Sequence, residues 1–385
     1  MLNFTFHNPT KILFGKGCIA EIAKEIPKNS KVMITYGGGS IKRYGTFDEV
    51  KAALSGYNVT EFGGIEPNPT YETLMKCVEQ VRAQSIDFLL AVGGGSVIDG
   101  TKFIAAAARY SGEPWDILVK RGVDITSAIP FGSVLTLPAT GSEMNSGAVI
   151  TRRSIKAKLL FGNPLVFPRF SALDPTKTYT LPPTQTSNGI VDTFIHITEQ
   201  YLTYPVDGKI QDRFAEGLLL TLIEEGPKAL QDPENYEVRA NLMWCATLAL
   251  NGLIAAGVPQ DWATHMIGHE ITALHDLDHA KTLAIVLPSL LKVRKKEKWQ
   301  KLLQYAERVW GITTGDEEAR IDAAIEKTRE FFESLNIKTH LSDYNITADS
   351  IPTIVKQLQE HGMVKLGEKE DITPEVAGKI LELSL

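Results

Sequence analysis

At 385 residues the chain exceeds the usual size of one domain, so two domains are expected. A composition of 43% hydrophobic and 22% charged residues is that of an ordinary globular protein with material for a large core. The formal net charge of -6 offers no basic footprint, which excludes nucleic acid and anionic membrane as expected partners, although a local pocket can still hold a phosphate.

Cys18, Cys77 and Cys245 are too few and too far apart for a disulfide framework or a metal knot, and they read as reduced thiols. The segment Met1 to Thr10 has no basic stretch followed by an apolar run, and Leu283 to Leu287 and Phe88 to Val92 are too short to span a bilayer. A cytoplasmic protein is expected.

In chain order, Lys31 to Tyr36 is a short β-branched run ending in Gly37-Gly38-Gly39-Ser40. Asp87 to Val92 ends in Gly93-Gly94-Gly95-Ser96, and Ser133 to Leu137 ends in Pro138-Ala139-Thr140-Gly141-Ser142. Apolar runs bounded in this way predict buried parallel strands. Helical spacing lies between them, over Thr46 to Leu54, Thr70 to Ala83 and Ile98 to Arg109. The alternation predicts a doubly wound α/β domain over residues 1–180. Leu181-Pro182-Pro183 marks a boundary, since proline seats a helix start. Beyond it, Thr184 to Tyr201, Ile210 to Glu225, Val238 to Ala256, Trp262 to Leu274, Ala280 to Lys292 and Asp316 to Leu335 all carry helical periodicity. Residues 181–385 are therefore predicted to be an all-helical domain, with the active site in a cleft between the two.

The two GGGS loops each follow a strand and precede a helix, where glycine lets the backbone approach a phosphate and the first helical N–H groups point at it. One such loop signals little. Two of them, with Thr140-Gly141-Ser142 at a third strand end, point to a nucleotide. The spacing is neither GxGxxG nor a P-loop. No acidic residue follows Tyr36 to bond a ribose 2′-OH; Ser40, Lys42 and Arg43 stand there instead, which favours NADP over NAD.

Five of the eight histidines fall between His196 and His279. Asp192 and His196 are spaced i, i+4 and share a helix face; His265 and His269 repeat that geometry, and His275 and His279 follow a break at Asp276 to Asp278. Three imidazoles and a carboxylate suit Zn²⁺ or Fe²⁺. Spacing does not choose among His265, His269 and His275.

Long motifs then carry a resemblance: HNPTKILFGKG, ITYGGGS, FGGIEPNPTYETL, LLAVGGGSVIDGTKFIAAA, LTLPATGSE, NGLIAAGVPQDWATHMIGHEITALHDLDHAKTLAIVLP and LLQYAERVWGI. The chain resembles the iron-containing (group III) alcohol dehydrogenases, nearest the bacterial NADPH-dependent aldehyde reductases and butanol dehydrogenases. The resemblance implies an N-terminal dinucleotide-binding α/β domain and an all-α metal-binding domain. It puts the metal ligands at Asp192, His196, His265 and His279, and leaves His269 as a proton-relay group. It assigns the diphosphate to Gly94, Gly95, Ser96, Asp99, Thr140 and Ser142, and the adenosine side to Gly37, Gly38, Gly39 and Ser40. Asn68, Thr136, Leu137, Thr178, Tyr179 and Leu181 lie along the cofactor, and Lys158 beside the nicotinamide ribose. The chain departs from the family at Ala280 and Ser187, and matches it least over Ile155 to Arg169.

The implied function is reduction of short- to medium-chain aldehydes to primary alcohols by NADP(H) and one zinc or iron ion, in a homodimer. The rival readings are an NAD-dependent diol or polyol dehydrogenase of the same family and a metal- and NAD-dependent lyase resembling dehydroquinate synthase. Against the lyase, the motifs lack the extra basic residues that a phosphorylated, carboxylated substrate needs.

Overall fold

A computed structural model describes all of residues 1–385. Eight strands form: β1 (Lys11–Phe14), β2 (Lys31–Tyr36), β3 (Asn58–Phe62), β4 (Phe88–Gly94), β5 (Phe131–Leu137), β6 (Gly147–Arg152), β7 (Ala157–Gly162) and β8 (Phe170–Leu173). Six make one parallel sheet in the order β1-β8-β5-β4-β2-β3, while β6 and β7 pair as a separate antiparallel hairpin. The sheet alternates its side chains between two cores. On β4, Leu89 and Ala91 enter one core with Met33, and Phe88, Leu90 and Val92 enter the other with Val32 and Ile34. Burial on both faces is why β2 and β4 read as unbroken apolar runs.

The N-terminal helices are α1 (Ser40–Arg43), α2 (Thr46–Ala53), α3 (Tyr71–Gln84), α4 (Gly95–Ala107) and α5 (Asp116–Val119). They are followed by α6 (Pro183–Tyr201), α7 (Lys209–Gln231), α8 (Tyr236–Ala249), α9 (Ala263–His275), α10 (His279–Val293), α11 (Trp299–Arg308), α12 (Glu317–Ser334), α13 (Ile351–Glu360) and α14 (Pro374–Leu383). No helix is long and apolar enough to cross a membrane.

The chain divides into two compact units, and the division is not one cut near residue 181. The α/β unit holds residues 7–181 and also 234–251, whereas the helical unit holds 1–6, 182–233 and 252–385. The reason is local packing of α8. Its Thr247 hydroxyl donates to buried Glu143 at 2.6 Å, and Trp244 meets Phe14 edge-on at 6.0 Å. The helical periodicity expected as far as Ala256 also ends earlier, at Ala249, with Gly252 and Gly257 at positive φ in the turns that follow.

In the helical unit, Phe194 of α6 packs against Phe331 and Phe332 of α12, with ring centroids 5.3 and 5.4 Å apart. The approach to α9 is held by Lys298, whose buried ammonium reaches Asp261 at 2.8 Å, both Glu368 oxygens at 2.9 Å and the Leu202 carbonyl at 2.7 Å. Burial works against that charge, but Asp261 and Glu368 outweigh it and hold the ammonium above its ordinary range. Asp261 in turn accepts the Ala263 amide at 3.0 Å, at the first residue of α9. Lys298→Met strands two buried carboxylates and should lower stability by about 3–5 kcal/mol, read from urea unfolding; a midpoint equal to that of the native chain would show the network to be dispensable.

Candidate active site

Pro183 occupies the first helical position of α6, where its missing N–H costs nothing, and the helix then runs unbroken to Tyr201. Its buried face carries Asp192 and, one turn on, His196. α9 supplies His265 and His269 from its buried side. The chain leaves α9 through Asp276 in the left-handed region, which permits a sharp turn, and re-enters α10 at His279.

These elements converge on one atom. Asp192 Oδ1 lies 3.7 Å from His196 Nε2, 3.7 Å from His265 Nε2 and 3.8 Å from His279 Nε2. Asp192 Oδ1 and His265 Nε2 are buried and make no hydrogen bond. A tetrahedral ion with ligand bonds of about 2.0–2.2 Å separates its donors by about 3.3–3.6 Å, so a few tenths of an ångström of contraction fits the set. Asp192, His265 and His279 form the tighter group, with ligand atoms within 4.8 Å of one another. His196 joins through Asp192 and stacks on His265 with ring centroids 4.6 Å apart. Three nitrogens and one oxygen suit zinc or ferrous iron and not calcium or magnesium.

The electrostatics prepare the same point for positive charge. Burial disfavours an ionised Asp192, yet His196, His265 and His279 hold its carboxyl well below the usual range. Burial likewise opposes a charge on His265, but Glu199 and Asp192 push its imidazole up to about 9.

The three histidines that spacing does not separate stand at different places around Asp192. His265 faces Asp192, whereas His269 stands beside the cluster, with its ring 5.0 Å from that of His279 and 6.3 Å from that of His265. His275 lies outside the group. The His279 side chain is 25% exposed while Asp192, His196 and His265 are nearly sealed, so solvent reaches the cluster on the side of His279.

In the α/β unit, β2, β4 and β5 are neighbours in the sheet, so their three C-terminal loops lie side by side. This is the topological switch point at which open α/β sheets bind ligands. Gly39 takes φ +96°, a conformation that favours glycine. A Cβ on Gly95 would come within 2.4 Å of Thr140 Oγ1, so the absence of a side chain there lets the Thr140 loop close on the start of α4. Gly94 caps α4, whose first turn includes Gly95 and Ser96. Asn68 and Lys158 meet across 90 residues of sequence, with Lys158 Nζ donating to Asn68 Oδ1 at 2.9 Å. Lys158 stands on β7, so the stretch that matches the family least is half of a regular hairpin. Thr136 and Leu137 end β5 half-buried; Tyr179 and Leu181 follow a short 3₁₀ turn after β8, and Thr178 is buried, donating to the Pro175 carbonyl at 2.7 Å.

Asp99 and Ser142 face inward. Ser142 Oγ donates to Asp99 Oδ1 at 2.5 Å, and the Val149 amide donates to Asp99 Oδ2 at 2.9 Å, so both carboxylate oxygens are engaged within the protein. Beneath them Lys102, missed in the sequence, donates to Ser142, Asn145 and the Gly147 carbonyl at 2.7–2.9 Å. Burial pulls its ammonium down to about 8, against the opposing pull of Asp99 and Glu143. The i, i+3 pair Asp99/Lys102 was the available signal. Lys42 lies over the rings of Tyr36 and Phe47 and pairs with Glu61 at 3.0 Å. Glu199 was also missed: it lies in the i+7 register from Asp192, and its carboxylate meets His265 Nδ1.

A family model described as iron-containing alcohol dehydrogenase matches residues 9–175, and one described as the C-terminal part of the Fe-containing alcohol dehydrogenase family matches residues 186–376. The chain is 63% identical over 384 residues, 99% of each sequence, to the NADPH-dependent aldehyde reductase YqhD of Escherichia coli (strain K12). A crystal structure of that protein matches with a TM-score of 0.99 at 62% identity, over 100% of this chain and 99% of the other. The probable NADH-dependent butanol dehydrogenase 1 of Bacillus subtilis (strain 168) is 44% identical over 391 residues, 100% of each chain. The crystal structure of NADH-dependent butanol dehydrogenase A from Thermotoga maritima has a TM-score of 0.95 at 36% identity, over 100% of this chain and 99% of that one.

Asp192→Ala and His265→Ala should each abolish retention of zinc or iron through gel filtration while leaving NADPH affinity unchanged, since the glycine loops belong to the other unit. Elemental analysis beside a coenzyme titration checks this, and full metal retention by either variant would refute the ligand set.

Proposed function

Because the chain belongs to the iron-containing alcohol dehydrogenase family, we propose that it is a metal-dependent aldehyde reductase that converts short- to medium-chain aldehydes to primary alcohols with NADPH. The observation that carries the reading is the buried Asp192 oxygen facing three imidazole nitrogens at 3.7–3.8 Å. Its assay is the loss of coenzyme absorbance when butanal is added to the metal-loaded protein. Turnover of butanal without coenzyme oxidation, or none with any aldehyde, counts against it.

Asp192, His196, His265 and His279 are assigned to the cation and the glycine loops to the dinucleotide. When bound, the cation polarises a carbonyl oxygen as a Lewis acid and NADPH supplies the hydride. The chain's own tasks are to bind, to orient and to deliver a proton. The N–H groups at the start of α4 hold and orient the diphosphate. Thr140 closes over that turn, and the Asp99–Ser142–Lys102 cluster holds the loop rigid from beneath. Asn68 and Lys158, already hydrogen-bonded to each other, flank the ribose end. One proton completes each reduction, and its transfer is assigned to an imidazole nitrogen of His269, a reading supported by its ring lying 5.0 Å from that of His279, which is part-exposed.

The reading extends to a cytoplasmic homodimer. Three free cysteines suit a reducing compartment, and Met1, Leu2, Phe4 and Phe6, all about half exposed, offer an apolar surface to a second copy.

His269→Ala should keep its metal but slow turnover and alter the pH profile of kcat, as removal of a proton-transfer group does. A metal content as low as that of His265→Ala would instead make His269 a ligand.

Coenzyme choice follows from the loop after β2. It carries no carboxylate, and its exposed amides and Ser40 favour a 2′-phosphate through charge-assisted hydrogen bonds. NADPH should exceed NADH in kcat/KM by about tenfold or more, the effect of one such contact. Introducing an acid tests this. Gly39 is a poor position because of its φ of +96°, whereas a side chain on Gly38 meets nothing within 4 Å. Gly38→Asp should therefore erase the preference; equal steady-state use of both coenzymes by the native chain would end the NADP reading.

A further inference from the structure

We propose that Glu199 is a positioning residue for the metal site: it fixes the tautomer and ring orientation of His265 so that Nε2 is presented as a ligand. The proposal rests on the cation reading of the preceding section.

Asp192, His196 and Glu199 follow one another at i, i+4 and i+7 on α6, so one stripe of that helix carries two proposed ligands and a third acidic or basic group. Glu199 is 2% exposed, and a carboxylate taken that far from water requires partners. It has three attachments, all to the segment that delivers His265. Its Oε1 accepts the Thr264 amide at 2.6 Å, its main-chain carbonyl accepts the Asp261 amide at 2.9 Å, and its Oε2 meets His265 Nδ1. The residue thus grips both the backbone just before His265 and the ring itself.

The chemistry assigns the proton. An ionised carboxylate can only accept, so the shared hydrogen belongs to His265 Nδ1. When a cation takes the place of the second ring proton, Nε2 presents its lone pair, and it is this nitrogen that stands 3.7 Å from Asp192 Oδ1 and has no hydrogen bond. A carboxylate on the far nitrogen of a ligating imidazole fixes its rotation and strengthens it as a donor. The first turn of α9 needs the Thr264 contact in any case, so a purely structural role has to be separated from this one.

Glu199→Gln makes the separation. The amide oxygen can still accept from Thr264, but its NH₂ then opposes Nδ1–H and disfavours the ligating tautomer. The measurement is Zn²⁺ affinity of the full chain by competition with a chromogenic chelator, with urea unfolding and NADPH titration alongside. Glu199→Gln should bind zinc about 10–100-fold more weakly, the usual effect of losing such a partner, with NADPH affinity unchanged. In a His265→Ala background the same substitution should leave the residual zinc affinity unaltered, since Glu199 acts through that ring. If the glutamine variant fails to fold, Glu199→Asp, which keeps the charge but withdraws it from Nδ1, should weaken zinc in the same direction. Native zinc affinity in whichever variant folds, or an equal loss in the His265→Ala background, overturns the proposal. A native chain that binds neither zinc nor iron would instead remove the cation reading on which it rests.

Discussion

A single buried carboxylate organises the helical unit. Asp192 is 3% exposed, and an ionised group in that position is tolerable only if positive charge or strong donors surround it. Three helices meet the requirement. α6 brings His196 on the same face as the carboxylate, α9 brings His265 and α10 begins at His279. Each helix has to stand in the right phase, because a rotation by one residue turns its ligand about 100° away. The tight packing of α6 and α10, buried along most of their length, thus fixes the phase at which Asp192, His196 and His279 are presented. Lys298 and Asp261 do the same for the entry to α9, by neutralising one another where the chain turns into it.

The α/β unit solves a different problem, that of exposing backbone amides without letting the loops collapse. Glycines give access but no rigidity. Rigidity comes from below, where Lys102 ties Ser142, Asn145 and the start of β6 together, and Asp99 links Ser142 to Val149. Residues expected to touch the cofactor therefore divide into two groups. Gly94, Gly95 and Ser96 stand at the N-terminus of α4, whereas Asp99 and Ser142 serve the frame that holds that surface in place.

Much of this was legible because the relevant features are local. β2 and β4 announce themselves by continuous burial, and the pairs at i, i+4 follow from helical geometry alone. β1, β3 and β8 were not legible: β1 and β3 are short and only half-buried, so no burial pattern marks them, and β8, buried throughout, is only four residues long. The β6–β7 hairpin is turned by Lys156 at φ +50° rather than by the usual Asn-Gly signal. Among the histidines, spacing offered two equivalent partners on α9, and only the third dimension separates His265, facing Asp192, from His269 beside it. Lys102, Glu143 and Glu199 escaped notice because a charged residue in a helix or loop normally faces water; their burial depends on partners 40 to 104 residues away.

The placement of α8 bears on how this protein can be divided. Its residues come after those of α6 and α7 in the chain, yet they complete the α/β unit by supplying Thr247 to Glu143. A fragment ended at Leu181 would leave that buried carboxylate facing water and Phe14 without its tryptophan. The nucleotide-binding half is therefore not a detachable module of contiguous sequence. Exchange of halves between relatives would need four junctions, at residues 6–7, 181–182, 233–234 and 251–252, and a swap made at 181–182 alone would carry the wrong eighth helix against the sheet.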